Sequence, residues 1–234
     1  MEAVPRYALY FAPRPETALA QFGARWLGWH LERGEAVEAT ETAGLAAGVH
    51  DAVTAEPRHY GFHATLKAPF RLAEGATEHD LVGAAARFAA ERAPLATAPL
   101  RFGPLASFLA FTPSEWSPRL HDLAAECVTA FDGFRAPPTD AELARRRRAG
   151  LSAAQEMLLA RWGYPYVMGE FRFHMTLTGS LESALRLEVA GALQPRLRHL
   201  LAAPLAVDDL VLCVETAAGA GFRVLRRLPF SARA

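Results

Sequence analysis

Two short stretches decide the fold of this chain: FHATL at residues 62–66 and FHMTL at residues 173–177. Both read Phe-His-x-Thr-Leu, and they fall in opposite halves of a sequence of 234 residues. Side chains two positions apart in a strand lie on the same face, so each stretch predicts an imidazole and a hydroxyl on one face and apolar side chains on the other. A repeat of this kind predicts two related lobes whose polar faces line a common cleft.

The pattern around each repeat predicts how the lobes are built. Each repeat strand is followed by a helix and then by two strands that are close in sequence. Helices that alternate with hairpin-linked strands are typical of α+β proteins with antiparallel sheets. We therefore expect a bilobal, duplicated α+β fold, with two antiparallel sheets lining a central cleft, helices outside and a helical insert between the lobes.

The bounds of the elements follow from hydrophobic periodicity and from the positions of Pro and Gly. The predicted strands cover residues 6–13, 59–70, 99–103, 105–113, 170–179, 205–215 and 221–230. The predicted helices cover residues 15–31, 78–92, 116–134 and 181–201, and the stretch 34–56 is expected to be irregular. We expect residues 1–234 to form one bilobal domain, with an N-terminal lobe of about 1–112 that shares its closing strands, a helical connector of about 113–168 and a C-terminal lobe of about 169–234.

The composition is that of an ordinary globular protein, with 51% hydrophobic and 21% charged residues. The formal net charge of zero argues against extended binding of nucleic acid or of an anionic membrane surface. No stretch approaches the roughly 18 consecutive apolar residues of a membrane span, and the first residues lack the pattern of a signal peptide. We expect a cytoplasmic protein whose two cysteines are reduced and buried. The sequence does not determine the oligomeric state and is compatible with a monomer.

The paired histidines and threonines suit the chemistry of phosphodiester cleavage. One imidazole can deprotonate water while the other protonates the leaving oxygen, and each step contributes about 10²–10⁴-fold in rate. The hydroxyls can donate hydrogen bonds to the phosphoryl oxygens on which charge develops. The sequence therefore predicts His63, Thr65, His174 and Thr176 as catalytic residues, with a small phosphorylated molecule as substrate.

Two other interpretations fit the histidines less well. A lone histidine in a strand is more often a hydrogen-bonded structural residue, but the repeated five-residue pattern favours a shared function. A zinc site needs a third protein ligand, and neither stretch supplies a further His, Cys or carboxylate at ligand spacing. We expect no metal and no cofactor.

Several residues near the repeats are candidates for substrate binding. Lys67 continues the alternation of His63 and Thr65, and Arg172 precedes His174 with the same parity, so both are expected to face the cleft as phosphate-binding cations. The other interpretation of each is a solvated strand end. Tyrosines beside the strands can bind phosphate or stack on a base or sugar, although ordinary packing is more common. The candidates for substrate binding are Lys67, Arg172, Tyr60, Tyr166 and Arg135.

The run Arg145–Arg148 in the connector has two interpretations. Such a run is usually a solvated helix face, and Asp140 and Glu142 lie close by in sequence. In a chain that is otherwise neutral, the run can also draw an anionic substrate toward the cleft. The sequence does not decide whether this segment is a lid over the cleft or a support behind it.

The chain resembles a known family in several segments. Its paired His-x-Thr-Leu strands resemble those of the two-histidine (2H) phosphoesterase superfamily, which includes bacterial LigT-like RNA 2′,3′-cyclic phosphodiesterases. More closely, FRAPPTDAELARRRRAGLSAAQEMLLARWGYPYV (134–167) and FRFHMTLTG (171–179), together with RYALYFAP and HYGFHATLKAPF, resemble the DUF1045 family of phosphonate-operon-associated proteins. The resemblance covers nearly the whole chain, and it implies a bilobal fold whose cleft is lined by both motifs.

Three hypotheses for the function follow. The leading one is metal-independent hydrolysis of a small cyclic or linear phosphodiester by in-line attack of water, with His174 favoured as the base. The family resemblance implies a ribose cyclic phosphate of phosphonate metabolism as the substrate. The alternatives are a LigT-type RNA 2′,3′-cyclic phosphodiesterase, for which a long basic and aromatic groove is expected, and a non-catalytic nucleotide-binding or assembly protein of a phosphonate pathway.

Overall fold

The computed structural model describes residues 4–39, 44–148 and 150–232, and its main feature is one antiparallel sheet of eight strands. The strands in these ranges are β1 (Arg6–Phe11), β2 (Trp29–His30), β3 (Glu35–Ala36), β4 (Ala64–Phe70), β5 (Leu95–Leu105), β6 (Phe108–Pro113), β7 (Met175–Thr176), β8 (Pro204–Val207), β9 (Asp209–Glu215) and β10 (Arg223–Pro229). The order across the sheet is β10-β9-β1-β4-β7-β6-β5-β8, and β2 and β3 form a separate small ribbon.

The helices connect the strands and cover the sheet. They are α1 (Ala18–Leu27), α2 (Val49–Arg58), α3 (Glu78–Ala90), α4 (Pro118–Ala130), α5 (Asp140–Arg147), α6 (Ala153–Trp162) and α7 (Ser183–Leu197), with short 3₁₀ turns at Asp132–Phe134, Met168–Glu170 and Arg198–Leu200. Helix α3 packs against β9 and β10, α4 against β4, and α7 against β5 and β6. The predicted α+β class with antiparallel strands is confirmed.

The sheet consists of two four-stranded halves that meet at the two repeat strands. In one half β1 pairs with both β4 and β9, and in the other half β6 pairs with both β5 and β7. Strands β4 and β7 are joined by the single antiparallel pair Ala64–Met175. The two expected sheets are therefore the halves of one continuous sheet, and the repeat strands are its centre.

The strands of each half do not come from one continuous stretch of chain. The hairpin β5–β6 comes from the part of the sequence predicted as the N-terminal lobe, yet it lies beside β7, while β9 and β10 lie beside β1. The reason is that the free edge of β4 is taken by β7, so the β5–β6 hairpin extends the sheet beyond β7. Each half of the sheet therefore takes strands from both the first and the second half of the sequence.

The core lies between the sheet and the helices that cover it. In β1 the alternate residues Tyr7, Leu9 and Phe11 belong to the large apolar cluster, whereas Ala8 and Tyr10 belong to a smaller one. Both sets are buried because each face of this central strand is covered. The smaller cluster lies under the cleft described below.

Two predicted segments differ clearly in the structure. Within 34–56, predicted as irregular, α2 begins after Gly48 and buries Val53, and residues 40–43 of that stretch lie outside the described part. The strand predicted at 170–179 is only two residues long, because its ladder with β4 and β6 involves Met175 and Thr176 alone.

The connector is helical, as the sequence predicts. Helices α5 and α6 each begin with a capping box, Thr139 with Glu142 and Ser152 with Gln155, which satisfies the free amides of the first turn. Gly163, with φ of 71°, ends α6.

Within the described ranges, no helix is both long enough and apolar enough to cross a membrane. The two cysteines, Cys127 and Cys213, are buried and are not joined by a disulfide.

Candidate active site

The four residues predicted as catalytic lie on one face of the sheet at its centre. His63, Thr65, His174 and Thr176 are each partly exposed, whereas the residues that alternate with them are buried. Because Ala64 is opposite Met175 in an antiparallel pair, His63 lies beside Thr176 and Thr65 beside His174. All four line one cavity of about 310 Å³.

Both imidazoles are anchored in the same way. Nδ1 of His63 lies 2.9 Å from the carbonyl oxygen of Gly61, and Nδ1 of His174 lies 2.7 Å from the carbonyl oxygen of Arg172. A carbonyl oxygen can only accept a hydrogen bond, so Nδ1 carries the proton in both rings. Nε2 of each neutral ring is therefore the basic nitrogen. The backbone two residues upstream fixes which nitrogen is available for chemistry.

The surroundings of His63 make it a constrained imidazole. Its ring stacks on the buried Tyr10 with 3.6 Å between the ring centroids. Its Nε2 lies 3.0 Å from the Thr65 hydroxyl, which donates to the neutral ring because Nδ1 already carries the proton. The pKa of His63 is lowered to about 4, mainly by burial and to a smaller extent by the neighbouring His174, while the hydrogen bond to the Gly61 carbonyl opposes the shift. In the free protein His63 is neutral near pH 7.

The surroundings of His174 leave its basic nitrogen available. The ring of Phe108 lies 5.5 Å from the imidazole, measured between centroids. Burial lowers the pKa of His174, and its hydrogen bond to the Arg172 carbonyl opposes that shift. Among the described residues, the side-chain hydrogen bond of His174 is the one from Nδ1, and Nε2 has no protein partner.

The structure brings three of the predicted binding residues to the cleft. Tyr60 lines the cavity with the two histidines. Tyr166 and Arg172 line an adjoining hollow of about 670 Å³, which His174 and Thr65 also line. The two spaces share a wall, so a substrate held at the histidines can extend toward Tyr166 and Arg172.

Lys67 does not reach the cleft, and a β-bulge is the reason. Neighbouring residues Leu9 and Tyr10 of β1 pair with Lys67 and Thr65 of β4, so β4 contains one extra residue between them. An extra residue reverses the alternation of faces. Lys67 is therefore buried on the helix side of the sheet, where its Nζ donates to the Val128 carbonyl oxygen at 2.9 Å and lies 3.6 Å from Asp132 Oδ1. The expectation that it faces the cleft is wrong.

Arg135 does not line the cleft either. Its Nε donates to Asp132 Oδ1 at 2.9 Å, and its guanidinium packs against Gly163 at the end of α6. Asp132, three residues earlier in the same turn, therefore holds the Arg135 guanidinium in an ion pair. Arg135 joins the turn after α4 to the end of α6 and lines neither of the two spaces at the histidines.

Four further residues line the cleft. Tyr10 and Phe108 are not singled out by the sequence, whereas Tyr164 is one of the tyrosines beside the repeat strands, and Arg146 is the residue of the Arg145–Arg148 run that reaches the cavity. The Arg146 guanidinium lies over the ring of Tyr164, 4.5 Å from its centroid. The available signal for Tyr10 is its parity, because it is the one large side chain between Ala8 and Ala12 on its face of β1. The other three come from distant segments that only the fold brings together.

Across residues 4–39, 44–148 and 150–232, no three His, Cys, Asp or Glu side chains are grouped as metal ligands are. The carboxylate that lines the cavity, Glu56, is exposed on α2.

Comparison with known proteins places the chain in a family. Residues 65–223 match the model of a family described as "protein of unknown function (DUF1045)". The chain belongs to the DUF1045 family. The resemblance predicted from the connector and the repeat strands is thereby confirmed, and the match spans both halves of the sheet.

Curated relatives of this DUF1045 protein are longer than the chain itself. One is "Ribose 1,5-bisphosphate phosphokinase PhnN" of Janthinobacterium sp. (strain Marseille), 44% identical over 234 residues, which covers 98% of this chain and 52% of the relative. Another, with the same name, is from Laribacter hongkongensis (strain HLHK9), 40% identical over 229 residues, covering 94% of this chain and 51% of the relative. The chain spans about half the length of these relatives.

Similar solved structures include LigT of E. coli. The complex of LigT with NADP+ has a TM-score of 0.48 and 12% identity, covering 98% of the DUF1045 chain and 99% of LigT. The complex with 3′-AMP has a TM-score of 0.45 and 12% identity, covering 97% and 99%.

Proposed function

We propose that this DUF1045 protein is a phosphoesterase of the two-histidine kind, which hydrolyses a small cyclic or linear phosphodiester without a metal ion. The observation that supports this most is the matching Nδ1–H bond of the two histidines, which leaves both basic Nε2 atoms at one cavity. Two imidazoles at one phosphate can supply the base and the acid that hydrolysis needs.

The different surroundings of the histidines support different roles. His174 acts as the base because its Nε2 is without a protein partner, and it takes a proton from the attacking water. The water oxygen forms a bond to phosphorus while the bond from phosphorus to the leaving oxygen breaks. Protonated His63 gives its Nε2 proton to that oxygen. The products are a phosphomonoester and a hydroxyl group, on one molecule where the substrate is cyclic.

The substrate itself helps to prepare the acid. Burial holds His63 neutral in the free protein, whereas a phosphodiester anion in the cavity favours the protonated ring by its charge. Thr65 and Thr176 lie beside the imidazoles, and their hydroxyls donate to the non-bridging oxygens as negative charge develops there.

The name of the curated relatives describes a kinase, and this chain lacks the usual means for that reaction. A phosphate-binding loop of the G-x-x-x-x-G-K-[ST] type needs a lysine directly after a glycine. The only lysine of this sequence, Lys67, follows a leucine and is buried against the Val128 carbonyl. We therefore assign the kinase activity of the relatives to the part outside the match. What this chain then shares with its relatives is a phosphorylated ribose as the class of substrate. For this chain, the substrate within that class is a ribose cyclic phosphate of phosphonate metabolism.

A nucleoside cyclic phosphate is a second candidate substrate. The adjoining hollow is lined by the aromatic side chains of Phe108, Tyr164 and Tyr166, on which a base can stack. A long RNA is less favoured because the net charge of the chain is zero. A gel-shift titration with short RNA tests that alternative, and tight binding would favour a LigT-type activity.

The experiment is hydrolysis of bis-p-nitrophenyl phosphate, 2′,3′-cyclic nucleotides and a ribose cyclic phosphate in the presence of a chelator. We expect activity that survives chelation and is kept in the control His79→Ala, an exposed histidine on α3. On the cyclic esters, whose leaving oxygen needs a proton, activity is lost in both His63→Ala and His174→Ala. Activity on a cyclic ester that is retained in either variant removes that residue from the pair. Opening of the nucleotide esters but not of the ribose ester removes the ribose substrate.

A further inference from the structure

Tyr10 is an unusual buried residue. Its side chain is 0% exposed, and its hydroxyl is the one buried side-chain oxygen or nitrogen in the described ranges without a protein hydrogen-bond partner. A buried hydroxyl that lacks a partner destabilises a folded protein, so such an atom calls for an explanation. The ring lines the cavity at the two histidines and stacks on His63.

Arg146 is the second unusual residue of the same cavity. It is half-buried on α5, and among the described ion pairs none joins it to a carboxylate. Its neighbour Arg147, by contrast, pairs with Glu156 at 3.1 Å. The Arg146 guanidinium rests on the Tyr164 ring instead, which leaves its N–H groups free to bind an anion in the cavity.

The polar groups at this part of the cavity all remain hydrogen-bond donors. An arginine is always a donor, and burial raises the pKa of Tyr10 well above its usual range, so its hydroxyl stays protonated and can donate. Burial also raises the pKa of Tyr164. The carboxylate that lines the same cavity, Glu56, lies beside Gly179, and no described ion pair joins it to Arg146. An arginine and a hydroxyl donor at one space are the pattern that binds a phosphoryl oxyanion.

We propose that Arg146 and the hydroxyl of Tyr10 form an oxyanion-binding subsite that holds a phosphoryl group of the substrate in the cleft, with α5 as the wall that carries the cation. The subsite takes the part that the sequence assigned to Lys67 and Arg135. Its ligand, a phosphate ester, rests on the proposed function, but the subsite itself is defined by two donors and is testable with inorganic phosphate alone.

The experiment is a calorimetric titration of the full chain with inorganic phosphate, combined with thermal unfolding. We expect Arg146→Met to raise the Kd for phosphate about tenfold or more, since a hydrogen bond to a charged group is lost. Tyr10→Phe is expected to raise the Kd about three- to tenfold while Tm stays the same or rises, because the variant removes a hydroxyl that has no partner in the free protein.

Each variant has a matched control. Arg147→Met removes a cation one position along the same helix and leaves the Kd unchanged. Tyr7→Phe removes a hydroxyl that donates to Glu78 at 2.9 Å, so it lowers Tm and leaves the Kd unchanged. An unchanged Kd in Tyr10→Phe or Arg146→Met, a lower Tm in Tyr10→Phe, or no phosphate binding by the wild type would overturn the proposal.

The outcome is separable from that of the proposed function. If Arg146→Met and Tyr10→Phe both weaken phosphate binding but the wild type hydrolyses no phosphodiester, the subsite proposal holds and the phosphoesterase proposal fails. If the wild type is an active phosphoesterase and both variants bind phosphate normally, the phosphoesterase stands and the subsite does not.

Discussion

The two repeat strands carry the same five-residue pattern in different surroundings. The first lies between β1 and β7, and its His63 stacks on Tyr10 and accepts a hydrogen bond from Thr65. The second is two residues long, and its His174 faces Phe108 with Nε2 unpartnered among the described residues. Both share the bond from Nδ1 to a carbonyl oxygen two residues upstream. The repeat therefore sets which nitrogen is available, and under the proposed mechanism the surroundings set the role of each imidazole.

Because the two histidines have different proposed roles, we expect His63→Ala to affect kcat/KM differently for substrates with different leaving groups. This is the largest predicted effect. If His63 protonates the leaving oxygen, His63→Ala lowers kcat/KM by about 10²–10⁴-fold for an ester with an alkoxide leaving group, and much less for bis-p-nitrophenyl phosphate, whose leaving group needs no proton. His174→Ala is expected to lower the rate on both substrates.

The measurement is a comparison of kcat/KM for the two substrates with wild type and both variants. The variant His79→Ala serves as the control. If the loss of kcat/KM is smaller on bis-p-nitrophenyl phosphate for His174→Ala instead of His63→Ala, the two roles are exchanged. If each variant loses the same factor on both substrates, the two strands do not differ in function.

The lowered pKa values predict an acidic optimum. Protonated His63 is lost as the pH rises through its pKa of about 4, and neutral His174 is lost as the pH falls through its own lowered pKa. We expect kcat/KM to peak between about pH 4 and 6.5 and to fall by up to about tenfold per pH unit above that range. A pH profile with its maximum above about pH 8 would contradict this assignment.

The carbonyl that anchors His63 depends on a glycine. Gly61 has φ of +71°, and a Cβ there would lie 3.0 Å from Leu31. Gly61→Ala is expected to destabilise the protein by about 1–2 kcal/mol and to lower kcat/KM several-fold, because the anchoring carbonyl moves. Gly75→Ala is the control: Gly75 has φ of +79° with open space around it, so it loses comparable stability but no activity. Equal activities of the two variants, measured beside urea unfolding, would show that the anchor has no role.

Lys67 gives the smallest predicted effect on activity. Because it faces the helices, Lys67→Met is expected to change kcat/KM less than about twofold. Burial lowers its pKa from 10.5 to about 8, so its contribution to stability is full above pH 10.5 and is lost as the pH falls through 8. From about pH 7 to about pH 9.5 the wild type should gain on the order of 1–2 kcal/mol relative to the variant in urea unfolding. A large loss of activity would place Lys67 in the cleft after all.

The sequence predicts the centre of the site because alternation along a short strand is local. From FHATL and FHMTL alone, the faces of His63, Thr65, His174 and Thr176 follow correctly. The prediction fails for Lys67, two residues further on, because the bulge opposite Leu9 and Tyr10 depends on how β1 pairs with β4. The residues of β4 alone do not predict this bulge.

The sequence does not predict the remaining cleft residues, and the reason is different. Arg146 stood out only as part of a run of four arginines, and the run does not say which one faces the cavity. Helix periodicity singles out a face of α5 but not what that face meets. Likewise, the placement of the β5–β6 hairpin beside β7 follows from which sheet edge is free, which is a property of the assembled sheet.

The most direct test of the account is an NMR titration of the histidine imidazoles with inorganic phosphate. It requires no knowledge of the substrate, and it asks whether both rings sense one bound phosphate. We predict that the signals of His63 and His174 shift along a single binding curve and that the pKa values of both rings rise. The signals of the exposed His79 are expected not to shift with phosphate. A response of only one of the two rings, or of neither, would contradict the shared cleft on which the proposed chemistry depends.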